Sequence, residues 1–136
     1  MNNVMELGAE VGQFLIPIAA GSYALYRGDY AEAGFLILSA LAQKVEIVFL
    51  KSVFPRERPN GLDSKSFPSG HTAGAFLGAG FLAARGGLVP STGVAFFTAT
   101  LIGLSRCLSQ NHFPSDVLAG ASLGVIHGFF AGSSRL

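Results

Sequence analysis

Apolar residues in this chain gather into five long stretches separated by short polar breaks. They predict helices over residues 7–26, 31–54, 72–84, 90–105 and 114–132. Pro17 falls inside the first and should kink it, which a membrane helix tolerates when neighbours satisfy the freed carbonyl. Arg27-Gly28-Asp29 and Arg85-Gly86-Gly87 read as turns. Each stretch approaches the roughly 20 residues that span a bilayer, the third and fourth being short. A soluble bundle would need a charged outer face on every helix. Residues 72–84 and 117–134 carry no charge at all. The expected fold is therefore all-α: an integral membrane bundle of about five transmembrane helices, one domain over residues 1–136.

Composition supports that reading. Half the residues are apolar, 12% are charged and the mean hydropathy is +0.49. A net charge of +1 gives no global field to recruit nucleic acid. The one cysteine, Cys107, permits no internal disulfide and reads as a small buried residue. Met1 to Val11 holds Glu6 and Glu10 but no Lys or Arg, so a secretory signal is not expected at that position. Glycine is abundant, at 18 residues. Gly120, Gly124, Gly128 and Gly132 recur at spacing four, as do Gly74 and Gly78. That spacing places them on one helical face, where a neighbouring backbone can approach closely. Packing within one subunit is the first expectation, and a homodimer seam along this glycine face is the alternative.

Three blocks of residues carry chemistry. Lys51, Arg58 and Pro59 close the second helix; Pro68, Ser69, Gly70 and His71 open the third. Ser105 and Arg106 close the fourth, and His112 and Asp116 flank the start of the fifth. Cations at the hydrocarbon edge are costly unless paired or functional. Arg offers a planar fork and Lys a point charge, both suited to phosphate oxygens. Ser69 is placed to cap a helix whose free N–H groups favour an anion. His112 and Asp116 are four apart, so the carboxylate can accept from one ring nitrogen and leave the other to attack. Pro114 suits a first helical turn. No carboxylate cluster or Cys/His spacing suggests a metal, and no cofactor is expected.

With these residues in hand, the chain resembles the type 2 phosphatidic acid phosphatase superfamily. All 11 motif positions occur in order between Lys51 and Asp116. The resemblance implies that His112 is the nucleophile, that Asp116 orients it and that His71 is the general acid. It also implies that Lys51, Arg58, Ser69, Gly70 and Arg106 hold the phosphoryl group, without a metal. The implied activity is hydrolysis of a lipid phosphate or diphosphate through a phosphohistidine. Phosphatidate, phosphatidylglycerol phosphate, undecaprenyl diphosphate and a lipid A phosphate are all candidate substrates. Transfer to a lipid or sugar hydroxyl from the same site, or an inactive lipid-binding scaffold, are the alternatives. Membrane members typically have six helices, so the one not counted here should precede the motifs.

Five crossings put all three blocks at one membrane face. Arg27, Arg85 and Arg135 then mark the opposite, cytoplasmic side by the positive-inside rule, once Lys51, Arg56, Arg58, Lys65 and Arg106, which oppose that count, are set aside as mostly site residues. The expected location is the bacterial inner membrane, with the site facing the periplasm or exterior. Lys44 and Glu46 are two apart on the second helix and do not face each other; a structural polar contact is expected for Glu46. His127 reads as a satisfied interior histidine.

Overall fold

The computed structural model describes residues 2–87 and 89–134, with the side chain of Asn2 excepted. Arg135, used above to orient the chain, lies outside them. Five helices appear where the apolar stretches predict them: α1 Asn2–Tyr26, α2 Tyr30–Val53, α3 Gly70–Gly86, α4 Pro90–Leu108 and α5 Pro114–Ser133. The α1–α2 turn needs a left-handed residue, which Gly28 supplies at φ 78°. Pro90 and Pro114 occupy first turns, where a missing N–H leaves nothing unpaired.

Side-chain size is distributed inside out. The core is built largely from alanine and glycine, including Ala9, Ala20, Ala73, Ala75, Ala79 and Ala99, with a few bulky residues such as Leu36, Leu77 and Phe81 among them. Bulky residues such as Leu15, Ile18, Leu38, Phe49, Phe97, Ile126 and Phe130 point outward. In water such a surface would be penalised for each exposed apolar side chain. Against lipid tails it costs nothing, and close backbone packing is what remains to hold helices together. α1, α2, α4 and α5 are each long and apolar enough to cross a membrane. The 17-residue α3 exposes no large apolar side chain and lies at the centre, packed along α5 and touching α1, α4 and α2.

The glycine stripe of α5 makes that packing possible. A Cβ on Gly120, Gly124, Gly128 or Gly132 would fall 2.0–2.6 Å from a backbone carbonyl of α3 or the residue before it: Ser69, Ala73, Leu77 and Phe81 respectively. The stripe packs within the chain, as the first of the two expectations has it. Gly78 likewise accepts the backbone of α1, where its Cβ would sit 2.6 Å from the nitrogen of Pro17.

Polar contacts lock the frame at two levels. Glu32 at the start of α2 pairs with Arg85 at the end of α3. In mid-bundle the Nε2 atom of His127 meets Glu46 at 2.6 Å, and the Ser39 hydroxyl donates to the His127 carbonyl at 2.7 Å. Two intramembrane polar residues that the sequence left separate therefore satisfy each other between α2 and α5.

Candidate active site

The three motif blocks converge at one end of the bundle. The segment 54–69 folds back on itself there, with Arg56 N–H donating to Ser64 O at 3.1 Å and Ser66 N–H to Arg56 O at 2.9 Å. Asn60 N–H reaches Gln110 O at 3.0 Å, which ties this segment to the α4–α5 connection.

His112 is buried in that connection. Its Nδ1 lies 2.6 Å from the carbonyl oxygen of Ser66. A carbonyl can only accept, so Nδ1 carries the proton and Nε2 keeps its lone pair. Spacing suggested Asp116 as the acceptor; its carboxylate instead stands 4.0 Å from Nδ1. Asp116 is fully buried and occupied elsewhere. It accepts from the Ser66 hydroxyl at 2.5 Å, from Arg56 Nη1 at 2.7 Å and from Phe113 N–H at 2.9 Å. The carboxylate thus fixes the residue that fixes the histidine. Arg56 also donates to the Ser115 hydroxyl at 2.7 Å and lies over the Phe113 ring at 4.2 Å.

Burial is the main force on His112, and it drives the imidazole pKa down to about 4. The Ser66 carbonyl opposes this, while Lys51, Arg58 and Arg106 add to it. The free ring is therefore neutral at physiological pH, as a nitrogen nucleophile must be. The folded pKa lies below the unfolded value near 6.5, so between about pH 6.5 and 4 the unfolded chain binds the extra proton. Stability from this group is complete above 6.5 and falls as pH drops through that window. Nitrogen-detected NMR of ring-labelled protein should show His112 as the neutral Nδ1–H tautomer at pH 5.5. An imidazolium there would contradict the geometry.

The three predicted cations differ in what they have left to give. Lys51 spends two of its three N–H donors on the carbonyls of Lys65 and Pro68, at 2.6 and 2.7 Å. Arg58 donates through Nε to Asp63 at 2.7 Å and, more weakly, through Nη1 to Asn111 at 3.4 Å. That ion pair holds the exposed Asp63 carboxyl below its usual range. Arg106 is buried, yet its Nε and Nη1 have no hydrogen-bond partner among the described residues. A buried guanidinium is costly unless an anion meets it.

Ser69 and Gly70 open α3 as expected, but Ser69 does not cap it through its side chain. Its hydroxyl pairs with Thr72 Oγ1 at 2.8 Å, and its N–H donates to the Asp116 carbonyl at 3.0 Å. Ser105 turns its hydroxyl back onto Ile102 O at 2.6 Å, within its own helix. His71 lies one residue into α3, half-buried, with Nε2 2.9 Å from Glu10 of α1.

Several participants escaped sequence reasoning. Arg56 and Ser66 each lie two residues before a motif residue, Arg58 and Pro68, and belong to none of the three blocks. Asn111 sits directly before His112 and is a bridging amide. Its Nδ2 donates to Glu6 of α1 at 3.2 Å and to the Ser109 hydroxyl at 2.8 Å, and its Oδ1 accepts from Asn60 at 3.2 Å. The available signal was the i, i+4 pair Glu6 and Glu10 at the site end of α1.

Residues 56–134 match the family model of the PAP2 superfamily. Over 80 residues the chain is 44% identical to a lipid A 1-phosphatase of Porphyromonas gingivalis, covering 57% of this chain and 18% of that protein. Over 125 residues it is 30% identical to a lipid A 4'-phosphatase of Helicobacter pylori, covering 82% of this chain and 63% of that one. The chain thus spans less than two thirds of the length of these curated relatives. Among solved structures, Aquifex aeolicus LpxE superposes with a TM-score of 0.77 at 28% identity, covering 96% of this chain and 84% of that one. A transmembrane PAP2-type phosphatidylglycerolphosphate phosphatase from Bacillus subtilis gives 0.74 at 29% identity, covering 96% and 74%.

Proposed function

This chain belongs to the PAP2 superfamily and is an integral membrane protein, and from that premise we propose that it hydrolyses a membrane lipid phosphomonoester through a phosphohistidine on His112. One observation carries the reading: a buried neutral imidazole whose Nε2 keeps its lone pair, in the field of Lys51, Arg58 and Arg106, whose Nε and Nη1 have no partner among the described residues. Preorganised cations that meet charge developing on a transferred phosphoryl group do the work a metal does elsewhere.

In the first step Nε2 of His112 attacks phosphorus and the bond from phosphorus to the lipid oxygen breaks. That oxygen takes a proton from His71, and the lipid alcohol leaves. In the second step water attacks phosphorus and gives its proton to His71. The nitrogen–phosphorus electron pair returns to His112, and phosphate leaves. Arg106 and Arg58 hold the equatorial oxygens, and Lys51 fixes the loop carbonyls while adding charge.

The site lies at a membrane face, as a substrate with its tail in the bilayer requires. An apolar groove of about 800 Å³ opens beside Arg56, lined by Leu50, Val53, Phe54, Phe67, Ala119 and Leu123. It suits an acyl chain running between α2 and α5. Relatives named for lipid A 1-, lipid A 4'- and phosphatidylglycerol phosphates support a lipid phosphomonoester as the substrate class. The cationic turns at Arg27 and Arg85, at the far end of the bundle, favour a periplasmic or external site in the inner membrane.

Purified protein in detergent should release phosphate from at least one of these lipid phosphates in the presence of chelator, and vanadate should inhibit it. No release, together with phosphorylation of an added hydroxyl acceptor, would instead assign phosphoryl transfer. Neither release nor transfer across the panel would overturn the enzymatic reading.

A further inference from the structure

Helix α1 lies outside residues 56–134, yet it places two carboxylates in the site. Glu6 holds Asn111, the neighbour of His112, and Glu10, one turn later, holds His71. Their spacing of four puts both on one face of α1. That face is held against α3 by near backbone contact. A Cβ on Gly74 would meet Gln13 O at 3.1 Å, and one on Gly78 would meet Pro17 N at 2.6 Å. The second oxygen of Glu10 lies 3.4 Å from Gln13 Nε2. The carboxylate therefore approaches His71 from a helix whose position is fixed.

We propose that Glu10 is the positioning residue for His71. It accepts the Nε2–H, which fixes the ring orientation and leaves Nδ1 as the nitrogen that exchanges its proton. This rests on the phosphatase reading above. An acceptor held on one ring nitrogen decides which nitrogen does chemistry, as the carboxylate of a catalytic triad does. As the lipid–oxygen bond to phosphorus breaks, the leaving oxygen takes the Nδ1 proton. His71 is then neutral, with Nε2–H still on Glu10 and a lone pair on Nδ1. That lone pair takes the proton of the attacking water in the second step, and both steps balance with one proton passing in and out through Nδ1. Ser66 plays the corresponding part for His112, holding Nδ1 so that Nε2 attacks.

The test is Glu10→Gln in the full-length protein, followed by single-turnover kinetics on two substrates. One is a lipid phosphomonoester that the wild type hydrolyses, whose alkoxide leaving group needs a proton. The other is p-nitrophenyl phosphate, whose phenolate leaves without one. General acid help is typically worth 10²–10⁴-fold, so weakening it should slow the lipid reaction by about 10-fold or more. Phenolate release should change by less than about 2-fold, because that step does not draw on the acid. In a His71→Ala background, Glu10→Gln should cost nothing further. The Glu10 side chain is 60% exposed, so the variant opens no core cavity, and its melting temperature should match the wild type. Equal slowing of both substrates, or a loss that adds to that of His71→Ala, would overturn the inference while the phosphatase reading stands. A wild type that hydrolyses neither substrate would overturn the phosphatase reading and this inference with it.

Discussion

His112→Ala is expected to abolish turnover, by at least about 10⁴-fold, in protein that still folds. Removing a nucleophile leaves only the residual rate that binding and electrostatics provide. The geometry explains why the fold should survive. If Asp116 were bonded to the imidazole, truncation would strand a buried carboxylate, a costly defect. Asp116 instead accepts from Ser66, Arg56 and Phe113, and all three contacts remain when the ring is gone. The cost is one neutral hydrogen bond to the Ser66 carbonyl plus the cavity left by a buried ring. The measurement is phosphate release by wild type and variant at matched melting temperatures, with labelled substrate and a rapid quench. Wild type should carry an acid-labile phosphoryl group during turnover and the variant none. Retained label in His112→Ala would move the nucleophile to another residue, with His71 the next to examine.

Survival of the fold in His112→Ala depends on a contact the sequence could not supply. Spacing placed His112 and Asp116 on one helical face, and the two do lie near each other. What spacing cannot rank is a competing acceptor from far along the chain, and Ser66 is 46 residues away. The same limit hid Arg56, whose partners lie 59 and 60 residues on. Helix positions were legible because they rest on local patterning, in which runs of uncharged residues end at Gly, Pro and charged breaks. The motif residues were legible because their types and order are specific. The contribution of α1 was not, since two glutamates near a helix end look the same whether they face water or a histidine. Glu46 and His127 are a similar case: each was recognisable as a polar residue in an apolar helix, but only the packing of α2 on α5 shows that they share one hydrogen bond.

Gly128→Ala is expected to cost more stability than any other single methyl added to this chain. Its Cβ would lie 2.0 Å from the Leu77 carbonyl oxygen and 2.8 Å from the Phe81 nitrogen, both backbone atoms of α3. Backbone cannot swing aside as a side-chain end can, so α3 and α5 must separate along the contact that defines the bundle. Overpacking typically costs 1–3 kcal/mol when side chains can adjust. With two backbones opposed, about 3 kcal/mol or more is expected, a large fraction of a marginal stability. Glycine count alone did not distinguish these positions. Gly8, Gly34 and Gly93 have nothing among the described residues within 4 Å of an added Cβ, and alanine there removes only the helix-interior penalty of glycine. At Gly12 the added methyl would meet the tip of the Ile102 side chain, which can rotate away. Thermal melts in one detergent should therefore order the variants with Gly34→Ala and Gly93→Ala at or above wild type, Gly12→Ala close to it, and Gly128→Ala far below. Because Gly120 packs on the carbonyl of Ser69 beside the site, Gly120→Ala should lose phosphate release along with stability. A melting temperature for Gly128→Ala within a degree or two of wild type would mean that α3 and α5 do not pack as described, and the convergence of the three motif blocks would lose its support.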